Sequence, residues 1–441
     1  MQILQTDSLS EKMGDFSNPY YEYWHRWYDF SLKYNVTFFN AAAKSVETFF
    51  NARGAPIQKI QNAMRASFDS ALRKGLNEES FATSLASLVD TNVKLAEFGY
   101  NTLYRSFSDL FSARSRLFEP IRDAVFRTPS EEIKMKGRFS LLHYKSDTPK
   151  KQKTPLLVIY SLINRHYILD LLPKVSVIRN LQLQGFDIYA TDWGTPSSSY
   201  KDMSLETYAH EYVENAVEKI KEVTGSEKVS LLGYCWGGIF ALIYSAIHPE
   251  SVKNLILHAA PVDLGKRDTP IENWTAHLNA DRLVKAFGNV PGSFLNMAFI
   301  LRNPVEALLK YSRFLSEPKS LDEITQFFAI ETWLYDSVPI IGGVYREIVN
   351  QIYKKNLLIK SKMNVGGDLV DLKKVTMPVL NIVGSKDDLV PPESSKSVMN
   401  VIPNKDKKLI EFPTGHVGLC INQQAHEQLW PEVGRWLSQR S

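Results

Sequence analysis

Three side chains of this 441-residue sequence, Cys235, Asp387 and His416, have the types and surroundings that nucleophilic chemistry needs. Cys235 lies in "LLGYCWGGIF" (231–240), where Gly233, Gly237 and Gly238 flank one of only two cysteines. The run "KVSLL" before it reads as a strand, and "GGIFALIYSAIH" after it reads as a helix. A strand that turns at once into a helix crowds the residue between them. Glycines on either side remove the Cβ atoms that would collide, which leaves a nucleophile elbow with cysteine where serine is usual. The side chain is lifted out at the carboxyl edge of the sheet. The amide of Trp236 points into the same space as one oxyanion donor, and the N-terminal end of the helix favours a thiolate.

An elbow nucleophile needs a base, and the base needs an orienting carboxylate, in the chain order nucleophile, acid, histidine. "VLNIVGSKDDLVPP" reads as a strand leading to Asp387 and Asp388, and "LIEFPTGHVG" as a strand leading to His416. Of the two aspartates, Asp387 is expected to be the acid, with Asp388 facing solvent or capping the turn. The second oxyanion amide is expected from the loop "VIYSLINRHY" (158–167), from Leu162 or Ile163. Asp192 and Trp193 are expected to shape a turn near the site. His248 reads as a helix C-cap and His258 as a core residue. His25, His143, His166, His210, His277 and His426 lack the context of an acid at a strand end. No histidine reads as paired with cysteine, Asp or Glu at metal-ligand spacing, so neither a metal nor an organic cofactor is expected. Cys420 reads as buried.

The elements that must position these groups alternate after Pro129: "GRFSLLHY", "PLLVIYSLI", a helix from about 170, "FDIYATDW", a helix through 205–223, "KVSLLGY", a helix over 238–247 and "NLILHAAPV". Nearly continuous apolar strands alternating with helices predict a mostly parallel sheet buried on both faces. The pattern stops beyond Asp263 and resumes at "MPVLNIVGSKDD" (377–388), "KKLIEFPTGH" (407–416) and a closing helix over 424–438. Four segments follow: an N-terminal helical region (1–127), a first part of the α/β core (128–263), a helical lid insertion (264–365) and a second part of the core (366–441). The fold class expected is α/β, an α/β-hydrolase fold with a helical lid above the carboxyl ends of the strands.

Composition narrows the setting. A net charge of +4 and no basic run interleaved with aromatics argue against nucleic acid as a partner. Two cysteines cannot build a disulfide framework, and the N-terminus lacks a signal-peptide pattern, so a cytoplasmic, soluble protein is expected. The aromatic stripe of Tyr20, Trp24, Trp27 and Tyr28 offers a surface for a partner or an apolar phase.

Taken together, "GYCWGG", "SLINRHYILDLLP" (161–173), "DWGTP" (192–196), "FGNVPGSFLN" (287–296), "KDDLVPP" (386–392) and "TGHVG" (414–418) resemble the polyhydroxyalkanoate synthases, over about residues 128–441. The two-subunit class III type and the related class IV look closest. The resemblance implies Cys235, Asp387 and His416 as the catalytic triad. It further implies 3-hydroxyacyl-CoA and a growing polyester chain as substrates, a second synthase subunit, a homo-oligomer, and association with the polyester granule surface. The family often has histidine directly after the catalytic aspartate, where this chain has Asp388. The rival readings are a cysteine-type hydrolase or thioesterase and a non-enzymatic granule protein.

Overall fold

The computed structural model describes residues 128–441 apart from 136, 147, 150, 266–268, 304–309 and 311–319, so the expected helical region 1–127 lies outside the described residues. Eight strands form one sheet: β1 (Glu131–Lys134), β2 (Ser140–Tyr144), β3 (Leu156–Ile159), β4 (Ile188–Asp192), β5 (Val229–Tyr234), β6 (Val252–His258), β7 (Val379–Gly384) and β8 (Lys407–Phe412). Their spatial order is β1-β2-β4-β3-β5-β6-β7-β8. β2 runs antiparallel to β1 and β4, and every pairing from β4 to β8 is parallel. β3, β5 and β7 are buried at every residue, as expected of central strands covered on both faces. β1, with sequence EEIK, is mostly exposed and has no apolar alternation that could announce it. Charge suits a sheet edge, where it discourages pairing with another chain.

The crossovers are helical: α1 (Val177–Leu183), α2 (Val213–Thr224), α3 (Trp236–Ile247) and, closing the chain, α11 (Trp430–Ser438). α1 packs with α11, and α3 packs with α2 and against β3, β5 and β6. The helix expected from about 170 begins only at Val177. Pro173 interrupts the segment, and Asp170–Leu172 instead pairs with Val175–Ser176 as a small antiparallel ladder. Buried Asp170 accepts hydrogen bonds from the Ser176 hydroxyl at 2.5 Å and from the Thr128 amide at 2.7 Å, while Ser176 Oγ caps α1 by accepting from the Arg179 amide at 2.9 Å. Such a cap is worth about 1 kcal/mol.

Between β6 and β7 the described residues form α4 (Pro270–His277), α5 (Ala280–Phe287), α6 (Gly292–Arg302), α7 (Leu321–Tyr335) and α8 (Gly342–Glu347). A π-helical turn over Ile348–Lys354 follows α8. A two-stranded hairpin, Met363–Val365 with Asp368–Val370, straddles the boundary expected at 365. Two short helices complete the fold: α9 (Pro392–Lys396) after β7 and α10 (Gly418–Ile421) after β8.

Candidate active site

Cys235 sits between β5 and α3 with φ 54° and ψ −119°, a conformation that costs a non-glycine residue roughly 1–3 kcal/mol. The surroundings fix it: the Cys235 amide donates to the His258 carbonyl at 2.9 Å, and the Cys235 carbonyl accepts from the Gly238 amide at 2.9 Å. The three glycines answer close backbone approaches. A Cβ on Gly237 would lie 2.0 Å from the Ile159 carbonyl oxygen at the end of β3, one on Gly238 2.6 Å from Ala260 Cβ, and one on Gly233 2.4 Å from the Gly237 oxygen. The sequence "GYCWGG" therefore folds this way because its neighbours leave no room for side chains at those positions.

β7 and β8 end side by side, Gly384 opposite Phe412, and their loops are stitched by Ser385 N–H to the Phe412 carbonyl (2.8 Å) and Lys386 N–H to the Thr414 carbonyl (3.1 Å). This brings Asp387 and His416 together across 29 residues of sequence. His416 Nδ1 donates to Asp387 Oδ2 at 2.7 Å, and Asp387 Oδ1 accepts from the Leu389 and Val390 amides at 2.9 and 2.8 Å. The Asp387 side chain has no exposed surface. Burial alone would lower the pKa of His416, but the charge of Asp387, then the charge of Cys235, and hydrogen bonds to both raise it to about 10. The imidazole thus faces the carboxylate on one side and the thiol on the other. The Tyr234 ring lies 5.2 Å from the His416 ring centre to centre. Cys235 and His416 are each 8% exposed.

The other sequence candidates separate clearly. Asp388 is largely exposed and lies 3.0 Å from Nη1 of Arg302 at the end of α6, away from the imidazole's acid partner. Trp236 opens α3, and its ring packs 6.0 Å from that of Tyr353 in the π-helical turn. In the loop after β3, the Ile163 amide is directed at Ser161 Oγ at 3.4 Å. The Leu162 amide makes no internal hydrogen bond among the described residues. Asp192 Oδ1 accepts from the Gly194 amide at 3.0 Å, which closes the turn after β4, and Trp193 Nε1 donates to the Tyr160 carbonyl at 3.0 Å, which fixes that turn to the loop after β3. His258 is wholly buried and its pKa falls to about 3 through desolvation first and the neighbouring His416 second. Burial pushes the Cys420 thiol well above its ordinary range, which leaves it a poor nucleophile. His143 pairs with Asp187 at 2.9 Å, His277 Nδ1 contacts the Asn273 carbonyl at 2.8 Å, and His426 Nε2 the Cys420 carbonyl at 2.7 Å. His166 lies 3.8 Å from Asp192, and His25 lies outside the described residues.

One set of contacts had no signal in the sequence. The loop carrying Leu162 and Ile163 is tied to α7 and the residues after it. Trp333 Nε1 donates to the Arg165 carbonyl at 2.7 Å, Tyr167 donates to Asp336 Oδ2 at 3.0 Å, and Arg165 Nε lies 3.3 Å from Asp336 Oδ1. Gln326 Nε2 also donates to the Ile421 carbonyl in the segment after His416, at 2.9 Å. The partners are up to 171 residues apart, too far for any local pattern to join them.

Known proteins agree on what such a site belongs to. Residues 154–422 match the model of the alpha/beta hydrolase fold, and residues 17–181 match that of the poly-beta-hydroxybutyrate polymerase (PhaC) N-terminus. The poly(3-hydroxyalkanoate) polymerase subunit PhaC of Haloferax mediterranei is 37% identical over 337 residues, covering 76% of this chain and 68% of its own. The chain belongs to the poly(3-hydroxyalkanoate) polymerase PhaC family. Its relative from Allochromatium vinosum is 33% identical over 71% of this chain and 89% of that protein, and the one from Synechocystis sp. is 34% identical over 71% and 85%. Both bear the same PhaC subunit name. The PhaC N-terminal match spans residues outside the described structure and continues through β1, β2 and β3 to α1, so the family's signature does not stop at the edge of the α/β core.

Proposed function

We propose that this chain polymerises 3-hydroxyacyl-CoA into a polyester through an acyl thioester on Cys235. The observation that carries the reading is the buried His416–Asp387 pair at 2.7 Å beside the elbow cysteine, in a chain of the PhaC family.

His416, whose protonated form the Asp387 carboxylate favours, takes the proton of the Cys235 thiol. The Cys235 sulfur attacks the thioester carbonyl. The tetrahedral oxyanion is met by the Trp236 amide, already at the helix start, and by an amide of the loop after β3, for which Leu162, with no internal hydrogen bond among the described residues, is the better placed of Leu162 and Ile163. The carbon–sulfur bond to coenzyme A then breaks, and the leaving thiolate takes the proton of His416. The imidazole, neutral once that proton has left, is free to act as a base. Held by Asp387, it next deprotonates the hydroxyl of a chain end or a second substrate. The resulting alkoxide attacks the acyl-cysteine, an ester forms, and the released Cys235 sulfur takes back the proton of His416. Thioester exchange is near thermoneutral and ester formation from a thioester is downhill, so the cycle uses no cofactor beyond its substrate. A positioned base of this kind supplies about 10²–10⁴-fold, and each oxyanion donor about 10²–10³-fold.

Water at the acyl-cysteine would end the chain as a free acid, which gives the helical elements over the site their purpose. A second synthase subunit, self-association and residence at the polyester granule belong to the same reading. They are supported by the PhaC subunit names of the relatives and by the family model matched at 17–181. Among the described residues no helix is long and apolar enough to cross a membrane.

The test is incubation of the purified chain with 3-hydroxybutyryl-CoA, followed by free thiol and by sedimentable polymer. Release of coenzyme A with polymer, lost in Cys235→Ala, is expected. Free 3-hydroxy acid as the only product would replace the polymerase by a thioesterase, and full activity in Cys235→Ala would remove the nucleophile.

A further inference from the structure

At the far end of α3 from Cys235, three potential ligands converge that the spacing of the sequence does not announce as a set. His210 lies in the π-helical turn Thr207–Tyr212 that leads into α2, Glu214 follows in the first turn of α2, and His248 is the C-cap of α3. His210 Nε2 lies 3.0 Å from Glu214 Oε2 and 3.0 Å from His248 Nε2, and His248 Nε2 lies 3.9 Å from Glu214 Oε2. We propose that His210, Glu214 and His248 form a binding site for a divalent transition-metal ion, of which zinc is the natural candidate.

The separations suit a tetrahedral ion. Zinc bonds of about 2.0–2.1 Å to nitrogen and oxygen give a tetrahedron with edges of about 3.3 Å, and the three separations bracket that length. Both histidines present the same ring nitrogen to one point, with ring centres 5.0 Å apart. Two neutral imidazoles can share only one proton between those nitrogens, whereas a cation takes both lone pairs at once. Two imidazoles and one carboxylate form a borderline donor set that suits zinc, cobalt, nickel or copper over magnesium or calcium. The other face of His248 is also provided for: its Nδ1 lies 3.5 Å from Glu250 Oε1, the placement of the outer carboxylate that orients a metal-bound histidine. All three ligands are partly exposed, at 20–40% of their side-chain surface, so an ion can enter and water can complete its shell.

The local fold explains the convergence. A π-helical turn widens the backbone just before α2 and so places His210 and Glu214, four residues apart, at one point. His248 ends α3 where its amide bonds the Tyr244 carbonyl at 2.8 Å, and Pro249 prevents the helix from continuing. An ion here would join the start of α2 to the end of the helix whose other end carries the nucleophile. α3 has 12 residues and is about 18 Å long, so the ion acts on stability and leaves the reacting atoms alone.

The experiment is titration of the metal-free, full-length chain with Co²⁺, followed by its visible d–d absorption, with Zn²⁺ added afterwards as competitor. One Co²⁺ per chain with an intense tetrahedral band, no sulfur-to-metal charge-transfer band, and displacement by Zn²⁺ are expected. The band is lost in His210→Ala and in His248→Ala, and Glu250→Gln weakens binding about 10–100-fold. Zn²⁺ also raises Tm of the parent chain and not that of Glu214→Gln, a partly exposed change that tests the site even if an alanine variant fails to fold. Absence of the band in the parent, its survival in both histidine variants, or a charge-transfer band placing the ion on a thiol would each overturn the site.

Discussion

Replacing Asp387 and Asp388 in turn separates a group that orients the base from one that faces solvent. Asp387 meets His416 at 2.7 Å with its side chain wholly buried, whereas Asp388 meets Arg302 at 3.0 Å with its side chain largely exposed. Asp387→Asn leaves the amide at the position of the orienting carboxylate and is expected to reduce turnover about 10⁴-fold, the size found when a catalytic histidine loses its acid. Asp388→Asn should change stability by about 1 kcal/mol or less and leave coenzyme A release nearly unaltered. Equal losses would place the acid elsewhere. The raised pKa of His416 has a consequence of its own. A group whose folded pKa exceeds its unfolded value stabilises the fold fully below the unfolded pKa, here about 6.5, and that contribution is lost as pH rises through about 10. Urea midpoints of the parent chain should therefore fall between those pH values, and Asp387→Asn should flatten that fall; parallel curves would contradict the ion pair. At this scale the sequence was most informative where sterics are most severe. Gly233, Gly237 and Gly238 announced the turn because nothing larger fits there. The second oxyanion amide stayed open between Leu162 and Ile163, since only the Ser161 hydroxyl at 3.4 Å from the Ile163 amide distinguishes them.

Elements carry the site in two ways: strand ends place it, and α7 with the residue after it is tied to the loop after β3. Gly237→Ala tests the first. Its new methyl would lie 2.0 Å from the Ile159 carbonyl oxygen, a backbone atom that cannot swing aside, so β3 and α3 must separate. A destabilisation of about 3 kcal/mol or more is expected, read as a fall in Tm; an unchanged Tm would mean that the elbow is not packed as described. Asp336→Asn tests the second. It weakens the contacts of Arg165 and Tyr167 that tie the loop after β3 to the end of α7, at a cost of about 1–3 kcal/mol. A looser cover should admit water, so the ratio of free 3-hydroxy acid to polymer should rise while Cys235 still acylates. An unaltered ratio would remove the tether from the account. The strands that were legible, β2 to β8, carry apolar residues in runs or, in β8 (KKLIEF), in part. β1 was not, because an edge strand of charged residues carries no hydrophobic period. The ladder at 170–176 was read as helix because Leu171 and Leu172 fit either element until Pro173 and the Asp170–Ser176 bond are taken into account.

For the whole molecule, the decisive feature is that nucleophile, base and acid all come from one chain, on the same edge of one sheet. Mixing Cys235→Ala chains with His416→Ala chains should then restore no activity in any oligomer they form; recovery would show a site shared between copies. The alternation of apolar runs and helical segments announced a mostly parallel sheet, and the order of the three functional residues along the chain matched the strand ends they occupy. What the chain could not reveal by pattern were contacts between remote segments: the lid tether across 171 residues, and His248 meeting His210 across 38. The most direct test of the central claim is mass spectrometry of the protein quenched during turnover of 3-hydroxybutyryl-CoA. The account predicts a hydroxybutyryl group on the peptide bearing Cys235, held there for longer in Asp387→Asn and absent in Cys235→Ala. An acyl group found on Cys420 or on no cysteine, with coenzyme A still released, would contradict it.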